Sequence, residues 1–204
     1  MPSLTDVWQQ MLDAHSMALN TALPGEVVKY DADTGKAEVR ALIRMKYTDG
    51  TILTPPVIPN VPILLPRTQG ASLTLPIAPG DPVLLVFAQR SIDRWLSEGG
   101  EVDAGDARTH AMSDAFAIPG AFSFKAGTTG ETGTVLKDGN TKVKLTGEKV
   151  AIGNSTVELL DQIVEALEKI ASSTAGAAPY IGPLSNAADI TAAAAKIASL
   201  KGSL

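Results

Sequence analysis

The residues best suited to chemistry form an acidic cluster with one histidine in the middle of the chain: Asp103, Asp106, His110 and Asp114. Carboxylates beside an imidazole could bind a hard cation or act as a general acid and base in hydrolysis. Their spacing fits no standard motif, however, and aspartates in a glycine-bearing loop normally cap turns and accept backbone N–H bonds. We therefore expect neither a catalytic nor a metal-binding site here.

Trp95 is the other residue that could contribute a specific contact, as an aromatic anchor in a core or a subunit interface. Stacking on bases would need further aromatics and a basic groove. The chain is only 4% aromatic and carries a net charge of -5, which argues against stable nucleic-acid binding. It has no cysteine, so disulfides, thiolate metal sites and cysteine nucleophiles are excluded. We expect no cofactor.

Short strands must position this cluster. Alternation over residues 37–46 predicts a strand that places four apolar side chains on one face: Val39, Ala41, Ile43 and Met45. The prolines between 55 and 66 predict an edge strand or loop. Further strands are expected at 72–77 and 83–89, the second buried on both faces. Together with a strand expected from residue 26, these make roughly five short strands with turn signals, which predict a small barrel, and we assign residues 23–125 to it.

The N-terminal segment, residues 1–22, has the pattern of an amphipathic helix. Apolar residues, among them Val7, Trp8 and Met11, recur at intervals of three and four. Ser3 is a plausible N-cap, with Asp6 three residues later. The apolar stripe could dock on the barrel itself or on another protein.

The polar stretch between the last predicted barrel strand and Gly120 carries a family resemblance. Its residues are Arg90, Asp93, Trp95, Asp106, Arg108, His110 and the run Ser113-Asp114-Ala115, leading into Ile118-Pro119-Gly120. In this order they resemble the N-terminal domain of central spike proteins from contractile-tailed phages, which has an oligosaccharide/oligonucleotide-binding (OB) barrel. The resemblance covers roughly residues 20 to 125.

This resemblance implies a homotrimer in the tail baseplate of a virion, assembled in the bacterial host cytoplasm. A hub protein would lie above it, contacted through Val7, Trp8 and Met11, and the spike would meet the host outer envelope transiently. The motif residues Trp95, Asp106, Arg108, His110 and Asp114 would form a structural junction between barrel and shaft. The chain has no room for an inserted lysozyme domain and no His-x-His tip motif. Either a separate protein supplies the tip or the particle has a helix-capped end.

Residues 126–154 predict a short shaft. Strands at 141–146 and 148–152 place Val143, Leu145, Val150 and Ile152 on one face and lysines on the other. A strand set this small cannot bury its apolar face alone, and two more copies of the chain are the simplest neighbours. We predict an intertwined trimeric β-prism or β-helix. A β-meander packed on the barrel is the alternative.

Residues 155–204 predict helices. Ser155 and Glu158 have the spacing of a capping box, so a helix is expected to begin there. Its residues Leu160, Ile163, Leu167 and Ile170 form a two-heptad seam of the kind that favours three or four strands. The alternative is a helix packed on the shaft. A linker at 176–183 and a second helix over 187–200, capped by Ser185 or Asn186, complete the chain.

The predicted fold is therefore mainly β with helical termini: an N-terminal helix, a five-stranded OB barrel, a trimeric shaft and C-terminal helices. The function this favours is a non-enzymatic central spike that plugs the tail tube and helps puncture the envelope. The first alternative is an OB-fold module that binds carbohydrate or nucleic acid. The second is a hydrolase using Asp106, His110 and Asp114.

Overall fold

The structure of the protein is a computed structural model that describes residues 3–47, 49–127, 130–175, 182–183 and 186–201. The chain divides into two compact units, Met1–Gly127 and Thr128–Leu204. None of the helices in the described ranges is both long enough and apolar enough to cross a membrane. Each unit is described separately below.

Helix α1 (Leu4–Ala18) opens the first unit. The predicted capping residues are confirmed: Asp6 N–H donates to Ser3 Oγ at 3.2 Å, and Ser3 N–H donates to Asp6 Oδ2 at 2.8 Å. These backbone and side-chain bonds lower the pKa of the Asp6 carboxyl. The side chains described for α1 are all exposed, so its apolar stripe is not packed on the barrel. Docking on the barrel was one of the two arrangements that the sequence left open.

The rest of the first unit is a curled half-barrel of antiparallel strands. In chain order its elements are β1 (Ala22–Asp31), β2 (Lys36–Ala41), the short hairpin β3 (Met45–Lys46) and β4 (Ile52–Leu53), β5 (Val57–Pro62), β6 (Pro82–Phe87), helix α2 (Asp93–Glu98), β7 (Ala115–Pro119) and a 3-10 turn at Phe124–Ala126. The main sheet has the order β5-β2-β1-β6-β7. The sheet is curled, so its two edge strands approach each other, and Leu64 N–H, just beyond β5, donates to the Ala117 carbonyl of β7 at 2.9 Å. The predicted mainly β fold with helical termini is confirmed.

The core of the half-barrel lies on its concave side. Alternate residues of β2 and β6 point inward, and the largest fully buried apolar side chains are Val27, Val39, Val61, Val83 and Leu85. The outward residues of the same strands are partly or fully exposed. β6 is therefore not buried on both faces as predicted, since Leu84 points outward.

Three other details of the barrel differ from the prediction. β2 ends at Ala41, leaving Ile43 and Met45 exposed, because Pro24 on the paired strand has no N–H to continue the ladder. Residues 72–77 form no strand beyond a single bridge from Ser72 to Arg67. The fifth strand is instead β7, which pairs with β6, so residues 115–119 form part of the barrel sheet.

The second unit begins with a three-stranded antiparallel sheet, β8 (Thr134–Asp138), β9 (Thr141–Thr146) and β10 (Lys149–Gly153), in the order β10-β9-β8. β9 and β10 match the two predicted strands, and β8 was not predicted. Helices α3 (Leu159–Ala171) and α4 (Ala187–Leu200) pack on each other, and both contact β10. Between them β11 (Thr174–Ala175) pairs with β12 (Gly182–Pro183). Residues 176–181 of the predicted linker and Ser185 lie outside the described residues.

The start of α3 was predicted wrongly. Its N-cap is Glu158, whose Oε2 accepts from Asp161 N–H at 2.8 Å while its Oε1 accepts from Ile152 N–H at 3.0 Å. Asn154 Oδ1 accepts from the N–H groups of residues 156 and 157 and forms a turn there. Ser155 therefore caps no helix, and the N-cap of α3 lies three residues later than the sequence indicated.

Candidate functional site

Arg108 is the centre of the polar cluster in the first unit. Its guanidinium donates two hydrogen bonds to Asp114, from Nε to Oδ2 at 2.7 Å and from Nη2 to Oδ1 at 2.9 Å. Nη2 also donates to Ser91 Oγ at 2.8 Å and to Asp93, and Nη1 lies 3.1 Å from Asp106 Oδ2. One side chain thus joins the segment before α2, the loop at 106–108 and the start of β7.

Asp114 is the buried partner in this cluster, with 0% of its surface exposed. Burial raises the pKa of its carboxyl. The hydrogen bonds from Arg108 and from the Ile92 N–H at 3.1 Å, together with the Arg108 charge, outweigh burial and hold the pKa below its usual value. The hydrogen bonds from Arg108 to Asp114 and Asp93, together with the charges of Asp114 and Asp106, raise the pKa of Arg108. The pair is therefore fully ionised and its buried oxygens are satisfied.

His110 lies apart from this ion network. It has a left-handed backbone with φ of 50°, which is uncommon for a residue other than glycine. Its Nδ1 is 3.1 Å from the Asn20 carbonyl oxygen, and Asn20 Nδ2 donates to the His110 carbonyl at 2.7 Å. This reciprocal pair fixes the connection between α1 and β1 against the loop before β7.

The acidic residues are distributed among several partners. Asp106 and Asp114 share one guanidinium, Asp103 Oδ2 accepts from Arg94 Nη1 at 2.6 Å, and His110 contacts backbone. Within the ranges that the structure describes, no three His, Asp or Glu side chains converge on a point where a metal ion could bind. The geometry brings Asp106 and Asp114 together for ion pairing and does not bring His110 to them.

Trp95 lies beside this cluster on α2 and packs edge to face on Phe116 of β7, with ring centroids 6.1 Å apart at 78°. Its side chain is 47% exposed. Together the two rings line one wall of a groove of about 500 Å³ on the first unit, whose other walls include Tyr30, Leu64 and Leu73. Trp95 is therefore half anchored in the fold and half available for contact.

The predicted shaft residues of the second unit do lie on one face. The register pairs Leu136 with Val143 and Val143 with Ile152, and it pairs Leu145 with Val150. Leu136 and Leu145 are 57% and 49% exposed, and the other three are half-buried. The predicted helical seam behaves differently: Leu160 and Leu167 are half-buried within the chain, whereas Ile163 and Ile170 are exposed.

Sequence reasoning missed several partners in these sites. Leu136 could have been found from the alternation that follows Gly133. Phe116 is hidden in a short run of small residues, and Asn20 carries no local signal, because its partner lies 90 residues away.

Comparison with known proteins agrees with the resemblance seen in the sequence. Residues 23–120 match the family model described as the phage protein Gp138 N-terminal domain. The matched range runs from β1 to just past β7, and it contains the Arg108 cluster, His110 and Trp95. A comparison with curated proteins found no match.

Proposed function

Because residues 23–120 match the family model described as the phage protein Gp138 N-terminal domain, we propose that the protein is the central spike of a contractile phage tail or a related injection particle. The family is one of phage structural proteins, which agrees with a mechanical and non-enzymatic role. Three copies would assemble in the host cytoplasm and sit at the virion baseplate, where their barrels plug the tail tube.

The observation that carries this proposal is the order of the two units. A phage structural barrel with its own core is followed by a sheet and two helices whose described residues bury little: the only buried hydrophobic side chains there are Ala151 and Ala194. A unit of this size normally needs a larger apolar core to be stable by itself. Assembly with further copies would supply that core, as a trimeric shaft would.

The Arg108 network suits a part that transmits force. Segments of irregular backbone on either side of α2 are joined by charge-assisted bonds to a fully buried carboxylate, and such bonds are short and geometrically specific. Sheath contraction would push on the barrel, and this network would keep the loop before β7 from shearing.

Helix α1 is the segment proposed to dock on the hub protein. Trp8 and Met11 are 58% and 60% exposed, and Val7 lies on the same stripe. Large exposed apolar residues clustered on one helix are typical of an interaction site. Below the second unit, a separate protein would form the tip, or the helices would close the end and meet the host outer envelope.

Labelling the protein in the particle that encodes it tests this function. An epitope tag at the C-terminus, detected by immunogold electron microscopy, should appear at the baseplate end of the tail. Particles that lack the protein should fail to deliver their contents. Label along the sheath or on the head, or full infectivity without the protein, would refute the proposal.

A second candidate function rests on the groove beside Trp95. The groove of about 500 Å³ combines the half-exposed Trp95 ring with polar residues such as Thr34 and Ser72, which is the mixed lining of a small-ligand site, and a sugar could stack on the indole. Envelope oligosaccharides titrated against the protein would then quench Trp95 fluorescence, and Trp95→Ala would abolish binding. Unchanged fluorescence at millimolar sugar would exclude this candidate.

A further inference from the structure

The lysines of the second unit's sheet are gathered on one of its faces. They stand at positions 137 on β8, 142 and 144 on β9, and 149 on β10. Lys137 lies directly opposite Lys142 in the register of β8 and β9. Like charges that face each other across two strands destabilise a sheet. The pairing therefore lowers the stability of the sheet unless a negative charge lies close to both ammonium groups.

One carboxylate of the chain already lies among these lysines. Glu131 Oε1 accepts from Lys142 Nζ at 3.2 Å, and the two side chains are 21% and 18% exposed. That hydrogen bond, together with the charges of Lys142, Lys144 and Lys137, lowers the pKa of the Glu131 carboxyl. Three ammonium groups thus act on one place, and a single carboxylate compensates only one of their charges.

The other acidic side chains of the second unit do not supply the missing charge. Among the described residues, its two further ion pairs join carboxylates of α3 to the lysines at 169 and 201. By strand alternation Asp138 belongs to the opposite face of the sheet, and Glu148 lies in the β9–β10 turn at the far end of the strands. Within the same described ranges, Lys137 therefore has no carboxylate in ion-pair contact.

Two turns close around this end of the sheet and form a hollow of about 220 Å³. Its described lining consists of Lys137, Lys142, Asn140 of the β8–β9 turn and Ser155 of the segment before α3. All four side chains can donate hydrogen bonds, and none of the four is acidic. At about 30 Å³ for each water, the hollow has room for roughly seven waters, which is enough for a phosphate group and part of its hydration shell.

The turn that carries Ser155 has a defined geometry. Gly153 lies opposite Lys142 in the register of β9 and β10, and a Cβ at Gly153 would collide with the Val157 carbonyl oxygen. Only a glycine therefore lets this turn approach the strand so closely. Asn154 holds the turn, because its Oδ1 accepts from the N–H groups of residues 156 and 157 at 2.8 and 2.9 Å. Ser155 is thus brought to the hollow by a fixed backbone.

We propose that this hollow binds a dianionic phosphate group. A phosphate monoester carries a charge of about −1.5 to −2 at pH 7 and three strong acceptor oxygens. These match the two uncompensated lysine charges and the donors of Asn140 and Ser155. A phosphodiester, as in a nucleic-acid backbone, carries only one charge and matches less well. Free inorganic phosphate and the terminal phosphate of a lipid headgroup offer the same chemistry.

Isothermal titration calorimetry of the full chain with inorganic phosphate at neutral pH measures this binding. The unmodified protein should bind one phosphate per chain. Lys137→Gln changes an exposed residue outside the Glu131 ion pair and should weaken binding roughly tenfold, because it removes one hydrogen bond between charged groups. The matched control Lys149→Gln removes the same charge from the same face, but at the far end of the strands, and should leave the affinity unchanged.

Glu131→Gln distinguishes a ligand site from a purely structural ion pair. If Lys142 serves only to hold Glu131, the substitution gives phosphate no better access to the lysine. In the proposed site it frees Lys142 Nζ for the ligand and removes a repelling charge, so phosphate should bind roughly tenfold more tightly. Unchanged or weaker binding by Glu131→Gln would contradict the proposal.

Vesicle flotation identifies the source of the phosphate. Phosphatidylcholine vesicles that contain phosphatidic acid present a phosphate monoester, and vesicles that contain phosphatidylglycerol present a diester as the control. Binding to the first that Lys137→Gln weakens and inorganic phosphate reverses would identify a lipid headgroup, whereas calorimetric binding without flotation would identify free phosphate. Binding in neither assay, equal binding to both kinds of vesicle, or equal losses for Lys137→Gln and Lys149→Gln would overturn the proposal.

Discussion

Replacing Arg108 by methionine should reverse the pH dependence that Asp114 gives to the stability of the first unit. In the unmodified protein the pKa of Asp114 is lowered, so its ionised form stabilises the fold above the unfolded pKa of about 3.9. That stabilisation is lost as pH falls through the lower folded pKa. Without Arg108, burial would dominate and raise the pKa of the same carboxyl. Stability would then be complete below about pH 4 and would fall as pH rises.

The size of the effect follows from the burial of Asp114. Its carboxylate is 0% exposed and would keep only the Ile92 N–H, at 3.1 Å, of the three hydrogen bonds it now accepts. An unpaired buried carboxylate costs roughly 3–5 kcal/mol at neutral pH. Protonation removes this cost, so between the unfolded and the raised folded pKa the stability should change by about 1.4 kcal/mol per pH unit.

Urea unfolding from pH 4 to pH 7 would measure this, with Trp95 fluorescence followed in a Trp8→Phe background. The matched control is the double variant Arg108→Met with Asp114→Asn, in which the buried group cannot ionise, so that every other titrating group cancels in the comparison. We expect the single variant to approach the double variant near pH 4 and to fall below it at pH 7. A constant difference across that range would refute the reasoning.

Three other substitutions test local features. Glu158→Ala should destabilise the second unit by about 1–2 kcal/mol because it removes a helix cap, whereas Ser155→Ala should leave the urea midpoint unchanged. Gly133→Ala should prevent assembly, because a Cβ there would collide with a backbone carbonyl of β9, and light scattering would measure this. The control Gly139→Ala is also at positive φ but in open space, and it should assemble normally. Asn20→Ala should lower the free energy of unfolding by about 1 kcal/mol and speed hydrogen exchange at residues 108–112. Unchanged exchange would contradict the role of Asn20 in holding that loop in place.

Elements with a strong local period could be predicted from sequence. The stripe of α1, the alternation of β9 and β10 and the pattern of α4 each depend on neighbours a few residues away, and all four elements are present. The last of these has Asn186 at its N-cap position, as expected, although the side chain makes no capping bond.

Elements that depend on a distant partner could not be predicted. β7 consists largely of small residues, and Ala115 and Ala117 are fully buried only because β6 and the segment after β5 lie against them. Residues 72–77 look like a strand but gain no partner beyond one bridge. Ser155 and Glu158 have the spacing of a capping box. In the fold, however, the Glu158 carboxylate accepts from Ile152 N–H, and Asn154 Oδ1 accepts from the backbone N–H of residue 156.

The same limit applies to the polar cluster. Its members were recognisable by type and order, but their partners were not: Asp114 and Asp93 meet through Arg108, and His110 pairs with Asn20. Sequence spacing alone made His110 and Asp114 look like a hydrolytic pair. The fold separates them, because the left-handed turn at His110 directs that residue toward the start of β1.

The choice of an ion pair at this position also has a physical reason. Apolar residues of similar volume often stabilise a core as well as a buried ion pair does, so stability alone does not explain Arg108 and Asp114. A guanidinium fork does what apolar packing cannot, since it fixes distance and orientation at several acceptors at once. Asp114 adjoins the β6–β7 ladder, since the Ala88 N–H donates to its carbonyl at 2.7 Å, but the segments at 91–93 and 106–108 belong to no strand that could set their register. Arg108 sets it for them, and the residues that look most reactive in the sequence therefore act as a structural clamp.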